Sequence, residues 1–315
     1  MFQQKFFRAL FLLAFSPCVT FALENNPQNL LADVISGFST ESYNASVVYI
    51  RPSGMESVDI EYDRGLKKVT FNTGLEKQTV QTTLANQETV KVGNNTISHR
   101  NKYMFNSLAS LHSNLDVGLK SYDLFISEYY DQVAGRSTSR LSVIAKTNDR
   151  YSYVHWVDAD TKIILRTDTL NENGELIERM MSTAFTLKES KAVTSKLELE
   201  ANSSASYSHV QGLKGQQTSI KVMPLGFYIL SEQSIYSVDK TLLYERIILT
   251  DGFASIDIYR GESNHKVKMT RGQQLDAFHI YKKNIQGSKV SFEGRLPLVM
   301  LEKIAANLIF EDQHD

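Results

Sequence analysis

The chain is poor in the residues that carry covalent or metal chemistry. Its 315 residues include one cysteine and one tryptophan. The cysteine, Cys18, lies in an N-terminal stretch that reads as a removable export signal, so the exported chain carries none. Disulfides, thiol catalysis and cysteine-based zinc sites are thereby excluded. Charge of one sign is missing too. Lys and Arg number 34 against 35 Asp and Glu, a formal charge of −1. Losing the N-terminal segment removes Lys5 and Arg8 and no acid, which takes −1 to −3. So neutral a chain lacks the basic footprint of a nucleic-acid binder. No apolar run beyond the first residues is long enough to cross a bilayer, which takes about 20 helical residues.

Cofactor and catalytic motifs are absent as well. There is no Gly-rich phosphate loop, no HExxH pair, no EF-hand loop and no Gly-x-Ser-x-Gly elbow. The histidines, His99, His112, His155, His209, His265, His279 and His314, are scattered, with no pair at helical ligand spacing. The sequence therefore assembles no catalytic, cofactor-binding or metal-ligating set.

The N-terminus has the parts of an export signal. Lys5 and Arg8 are its positive region, Ala9 to Phe15 its apolar core, and Thr20-Phe21-Ala22 a cleavage site. Export with cleavage after Ala22 follows. Ser16-Pro17 stands where a lipobox needs a small residue, so Cys18 is expected to leave with the signal, with lipidation as the alternative. The remaining length predicts two domains.

Segment by segment the chain predicts an α+β protein, mainly antiparallel β. Asn26-Pro27 followed by Leu30, Leu31, Val34, Ile35 and Phe38 predicts a capped amphipathic helix. Strands are expected at Tyr43 to Ile50, Val58 to Tyr62, Val69 to Phe71, Thr79 to Leu84 and Thr89 to Val92. Tyr103 to Leu115 is expected to hold a helix, and Leu119 to Tyr130 stays open. The run from Arg150 to Phe185 reads as three strands joined by turns at Asp158 to Thr161 and at Asn173-Gly174, the latter a type I′ signal. Residues 191–215 are Ser-rich and read as a linker between a domain over 23–190 and one over 216–315. In the second, Leu242 to Tyr259 predicts a hairpin, Lys289 to Phe292 a strand, and Pro297 to Phe310 a helix with Leu298, Leu301, Ile304, Ala305 and Leu308 on one face.

Strands such as Tyr43 to Ile50 and Tyr151 to Val157 are apolar on both faces, so both faces need cover. A curved sheet over helices supplies it and leaves room for an apolar pocket. Val47, Tyr49, Ile60, Tyr62, Tyr151, Tyr153 and Trp156 are the candidate cavity residues, their face set by the register. Asp158 and Asp160 are expected to bond their own turn, and His155 to pack or hydrogen-bond on a sheet face.

Four collinear segments resemble the MucB/RseB family, periplasmic negative regulators of the envelope-stress sigma factor, sigma-E. They are Leu30-Leu31 with Ser57 to Tyr62; Tyr122-Asp123 to Ile144 with Arg150 to Asp158, Leu165-Arg166 and Asn173-Gly174-Glu175; Pro224 to Phe227 with Asp251-Gly252 and Ser255 to Tyr259; and Phe292 to Pro297 with Ile304 to Asn307. Val222-Met223 stands where members carry a tryptophan nearby, and Ser142 where some have a cysteine. The resemblance implies a LolA/LolB-like half-open β-barrel closed by helices, then a smaller α+β domain. It implies binding to the periplasmic part of a membrane-spanning anti-sigma factor, protection from site-one cleavage, and release by lipopolysaccharide or lipoprotein acyl chains. It implies no cofactor and no nucleic acid, and is compatible with a homodimer. A periplasmic lipid or lipoprotein carrier is the competing reading. An envelope hydrolase is a third, which a convergent carboxylate set or Ser-His pair would revive.

Overall fold

The computed structural model describes residues 26–63, 66–73, 76–83, 88–91, 115–188, 210–212, 216–236, 242–261 and 273–312. The export segment, the Tyr103 to Asn114 part of the expected helix and most of the expected linker lie outside them. Helix α1 spans Pro27–Thr40, and the Asn26 side chain caps it by accepting from the Gln28 N–H at 2.9 Å. Leu31, Val34, Ile35 and Phe38 form its buried stripe. Burial of each contributes roughly 1.5–3 kcal/mol. At Gly37 an added Cβ would lie 2.9 Å from the Thr161 carbonyl, so the helix backbone closes directly onto the turn that holds Thr161.

That sheet has ten antiparallel strands. They are β1 (Ser42–Arg51), β2 (Gly54–Asp63), β3 (Leu66–Thr73), β4 (Glu76–Thr83), β5 (Glu88–Lys91), β6 (Tyr122–Val133), β7 (Arg136–Ala145), β8 (Ser152–Asp158), β9 (Ile164–Leu170) and β10 (Leu176–Leu187). The order is β5-β4-β3-β2-β1-β10-β9-β8-β7-β6, so the first strand pairs with the last and, among the described residues, the sheet stays open at β5 and β6. Leu119 to Tyr130 resolves into the end of a short helix, α2 (Leu115–Leu119), and most of β6.

The second sheet orders β11 (Val210–Gly212), β13 (Tyr228–Tyr236), β14 (Leu242–Thr250), β15 (Ser255–Arg260), β18 (Ser288–Gly294), β17 (Phe278–Ile285) and β16 (Gln273–Leu275). A separate ladder pairs β12 (Gln216–Ile220) with β19 (Leu308–Asp312). Helix α3 (Leu298–Asn307) packs on β17 and β18. Ile256, Ile258, Phe292, Leu301 and Ile304 fill its core. Among the described residues no helix is long and apolar enough to cross a membrane.

Two local expectations are corrected. The helix expected over Pro297 to Phe310 ends at Asn307, and Leu308 and Phe310 stay buried as strand residues because β12 offers them a ladder. The Asn173-Gly174 turn is not type I′, which needs two positive φ angles. Only Gly174 is left-handed, at φ 77°. The loop is organised by Asn171 instead, whose Oδ1 accepts from the Asn173 and Glu175 N–H groups at 3.0 and 2.9 Å.

Candidate ligand cavity and the joint that seals it

Alternation along β1 sends Tyr43, Ala45, Val47 and Tyr49 to one face, where all four are buried. The register sets Val47 opposite Ser182 and Tyr49 opposite Met180 on β10, while Tyr153 and His155 on β8 face Thr169 and Thr167 on β9. These side chains wall a cavity of about 140 Å³. Phe38 of α1 and Lys67 of β3 line it on the first domain's side, and Phe253, Ala254, Ser255 and Arg295 are contributed by the second domain. Burial pushes the Lys67 amine down to about 7. It also pushes the His155 imidazole down to about 4, against the raising effect of the Asp168 charge. The cavity wall therefore carries a neutral histidine at neutral pH.

Four of the seven candidates, Val47, Tyr49, Ile60 and Tyr153, line this cavity. Tyr62 shares their face but stacks on Tyr43 at 5.2 Å, outside the lining. Tyr151 is buried just before β8, also outside it. Trp156 requires a correction, since odd and even residues of β8 point oppositely. Its indole Nε1 donates to Asp131 at 2.8 Å, and Arg166 lies 3.7 Å over its ring, on the outer face. Asp158 bonds its own turn as expected, accepting from the Thr161 N–H at 3.0 Å, and also accepts two hydrogen bonds from Arg136, whose third goes to Asp160 at 3.1 Å. The sequence reading missed Lys67, Thr167, Thr169, Glu178 and Ser182. Strand alternation from Tyr153 and Val47 could have pointed to the hydroxyl-bearing three. No sequence signal announces Phe253 or Arg295.

The wall supplied by the second domain is held by two polar clusters. In the first, Arg150 reaches across to Asp251 and to the Leu225 carbonyl. Tyr122 Oη donates to Asp251 Oδ2 at 2.8 Å, and Ser121 Oγ donates to the Leu225 carbonyl at 2.8 Å. The other Asp251 oxygen accepts from the Phe253 and Ala254 N–H groups at 3.0 and 2.8 Å, which shapes the turn that enters the cavity wall. Phe253 then lies against Tyr122, ring centroids 4.7 Å apart. In the second cluster Glu178 pairs with Arg295 and accepts from the Ala277 N–H at 3.1 Å. Ser53 donates to Asp276 beside it. Among the described residues no group of three or more His, Cys, Asp or Glu is placed to hold a metal ion.

An open ten-stranded antiparallel sheet, a cavity in its curve and a smaller α+β domain sealing that cavity define a two-domain binding protein, mainly β. The chain belongs to the MucB/RseB family: the sequence profile of the family's N-terminal domain matches residues 26–205 and that of its C-terminal domain residues 213–309. Relatives include the sigma-E factor regulatory protein RseB of Salmonella typhimurium, 27% identical over 212 residues that make up 66% of each chain. The protein of the same name from Escherichia coli K12 is 24% identical over 278 residues, 85% of this chain and 86% of the relative. Among solved structures, MucB superposes with a TM-score of 0.65 at 18% identity, covering 90% of this chain and 97% of that one. The Pseudomonas aeruginosa MucA/MucB complex gives 0.62 at 17% identity, covering 92% and 99%. These likenesses establish the fold.

Proposed function

We propose that the chain is a regulatory binding protein of the periplasm. It holds the periplasmic segment of a membrane-spanning anti-sigma factor, shields that segment from site-one proteolysis, and lets go when a lipid or lipoprotein acyl group occupies its cavity. It acts by binding and not by catalysis. The observation that carries this reading is the match of both family domains, in order, over nearly all of the described chain. A relative of the same fold has been solved in complex with MucA(peri), which supports a peptide-like partner.

The cavity supports the release step. At about 140 Å³ it compares with engineered cavities of about 150 Å³ that take one benzene. Ligand pockets run to roughly 300–1,000 Å³. An acyl chain must therefore widen it, and part of the wall to be moved is the Phe253 turn of the second domain. A ligand that binds the widened state better shifts the joint toward opening, and any partner that needs the closed joint is bound less well by the same factor. A lipid carrier would share the cavity, but a carrier does not require a second domain in its wall.

The test is capture of the periplasmic segment of the cognate anti-sigma factor by the exported chain, and its protection from the site-one protease. Binding at micromolar concentration, weakened by an acylated amphiphile, is expected. Absence of binding at that concentration overturns the reading, and lipid transfer between vesicles without peptide binding establishes the carrier instead.

A further inference from the structure

Among the described residues, one buried polar atom on the cavity face has no partner. His155 is 4% exposed, and its ring is part of the cavity wall. Nδ1 lies 3.0 Å from the Thr167 hydroxyl, directly across the β8–β9 ladder. The ring stacks on Tyr153 with centroids 6.0 Å apart and planes 9° from parallel. Those two contacts fix the plane of the imidazole. Among the described residues, buried Nε2 has no hydrogen-bond partner. A buried polar atom left so costs about 1–3 kcal/mol, and native proteins retain few of them. In a cavity wall, such an atom marks the place of a ligand's polar group.

The surroundings decide which group. Burial keeps the ring neutral, so it offers one hydrogen bond and no charge. The carboxylate on the cavity face, Glu178, is taken by Arg295 and the Ala277 N–H. Asp168 lies on the outer face of β9, bound by Arg166 and Arg179. Thr167, Thr169 and Ser182 add hydroxyls to the same wall, and Val47, Ile60, Leu165 and Met180 are apolar. Lys67, the amine of the cavity wall, stands on β3, five strands from β8 in the sheet order, so an ionic group placed against His155 would be desolvated without a countercharge beside it. An uncharged oxygen on a hydrocarbon chain meets both demands.

Resting on the reading that an amphiphile enters the cavity, we infer that His155 is its polar anchor and that the cavity selects an acyl or alkyl chain bearing an uncharged oxygen, a hydroxyl or an ester, over a plain hydrocarbon chain of equal length. The tautomer follows the ligand: a hydroxyl can meet Nε2 as donor or acceptor, whereas an ester accepts from Nε2–H while Thr167 donates to Nδ1.

The experiment uses the full exported chain, titrated separately with 1-octanol and n-octane. Displacement of the fluorescent probe 1-anilinonaphthalene-8-sulfonate reports affinity, and ¹⁵N spectra follow the imidazole. The octanol-to-octane affinity ratio should fall about 2- to 10-fold in His155→Phe, the size of one net hydrogen bond, and recover in His155→Gln. In the wild type, octanol should move the Nε2 resonance and octane should not. If both ligands bind but the ratio is unchanged in His155→Phe, or Nε2 stays still on octanol binding, the anchor is overturned and the cavity reading stands. Failure of both ligands to displace the probe from the wild type overturns both. Should His155→Phe not fold, the wild-type Nε2 response alone decides.

Discussion

Asp251 and Asp168 are both buried carboxylates held by arginine, and the two are built to opposite ends. Asp168 is 6% exposed and is gripped by Arg166 and Arg179, its own neighbours in the sheet. Their guanidinium-bearing side chains are 21% and 30% exposed, so both reach water whatever the second domain does. Asp251 is fully buried, and its arginine, Arg150, is 2% exposed and belongs to the other domain. The first arrangement is local and permanent. The second exists only while the domains are docked, yet docking buries no unpaired charge and undocking hydrates both partners together. A joint of this kind can open as a unit, whereas removing one partner leaves the other charge stranded.

The largest way to break the comparison is therefore Asp251→Ala. It leaves Arg150 buried against the Leu225 carbonyl, with only the Asp149 carboxylate 3.8 Å from its Nε, and removes the acceptor that shapes the Phe253 turn. A loss of about 3–5 kcal/mol is expected in denaturant unfolding, because the more distant Asp149 makes up little of the pairing that the buried charge loses. Small-angle scattering should show a more extended particle. An unchanged midpoint and radius would show that the joint does not depend on this pair.

The pH profile separates the cavity face from the outer face. Burial lowers the folded His155 pKa to about 4 from its ordinary value of 6.5. The unfolded chain takes up the proton first, so stability from this group is full above about pH 6.5 and is lost as pH falls toward 4. That loss amounts to about 3 kcal/mol at most, and His155→Gln should flatten the profile in that window. Asp168 behaves differently. Burial raises its carboxyl pKa, but the hydrogen bonds from Arg179 and Arg166 outweigh this and hold it below the usual 3.8. Its contribution is present above that value and declines only in stronger acid. Two acid limbs in urea midpoints measured from pH 7 to 3 are expected, with only the upper one missing in His155→Gln.

What the sequence made legible follows from the range of the forces involved. The α1 stripe, its Asn26 cap and the alternation on β1, β2 and β8 are local patterns, and each forms as read. The candidate cavity residues were legible to the extent that alternation was applied strictly: Tyr153 and Val47 line the cavity, and Trp156, three residues from Tyr153, cannot share that face. The joint was illegible. Arg150 and Asp251 are separated by a hundred residues, and nothing in either neighbourhood marks the other as partner. The end of α3 failed for the same reason, since Leu308 keeps its apolar role but finds it in a ladder with Ile220, far upstream.

The smaller substitutions sharpen the contrast. Asp168→Ala should cost about 1–2 kcal/mol, less than Asp251→Ala, because Arg166 and Arg179 can turn to water. It should leave the particle radius unchanged and lower the His155 titration midpoint further, since it removes the charge that raises it. The mildest comparison is between two left-handed glycines, Gly226 at φ 83° and Gly174 at φ 77°. A Cβ at Gly174 meets nothing within 4 Å, so Gly174→Ala carries only the backbone penalty of about 1–2 kcal/mol. A Cβ at Gly226 would also lie 2.5 Å from Ser121 Oγ and 3.2 Å from the Val117 carbonyl, both across the joint. Equal backbone strain thus isolates the contribution of docking. Gly226→Ala should exceed Gly174→Ala in destabilisation and alone should extend the particle in scattering. Equal effects with equal radii would show that the joint yields around an extra methyl group, and that sealing the cavity does not require so close an approach.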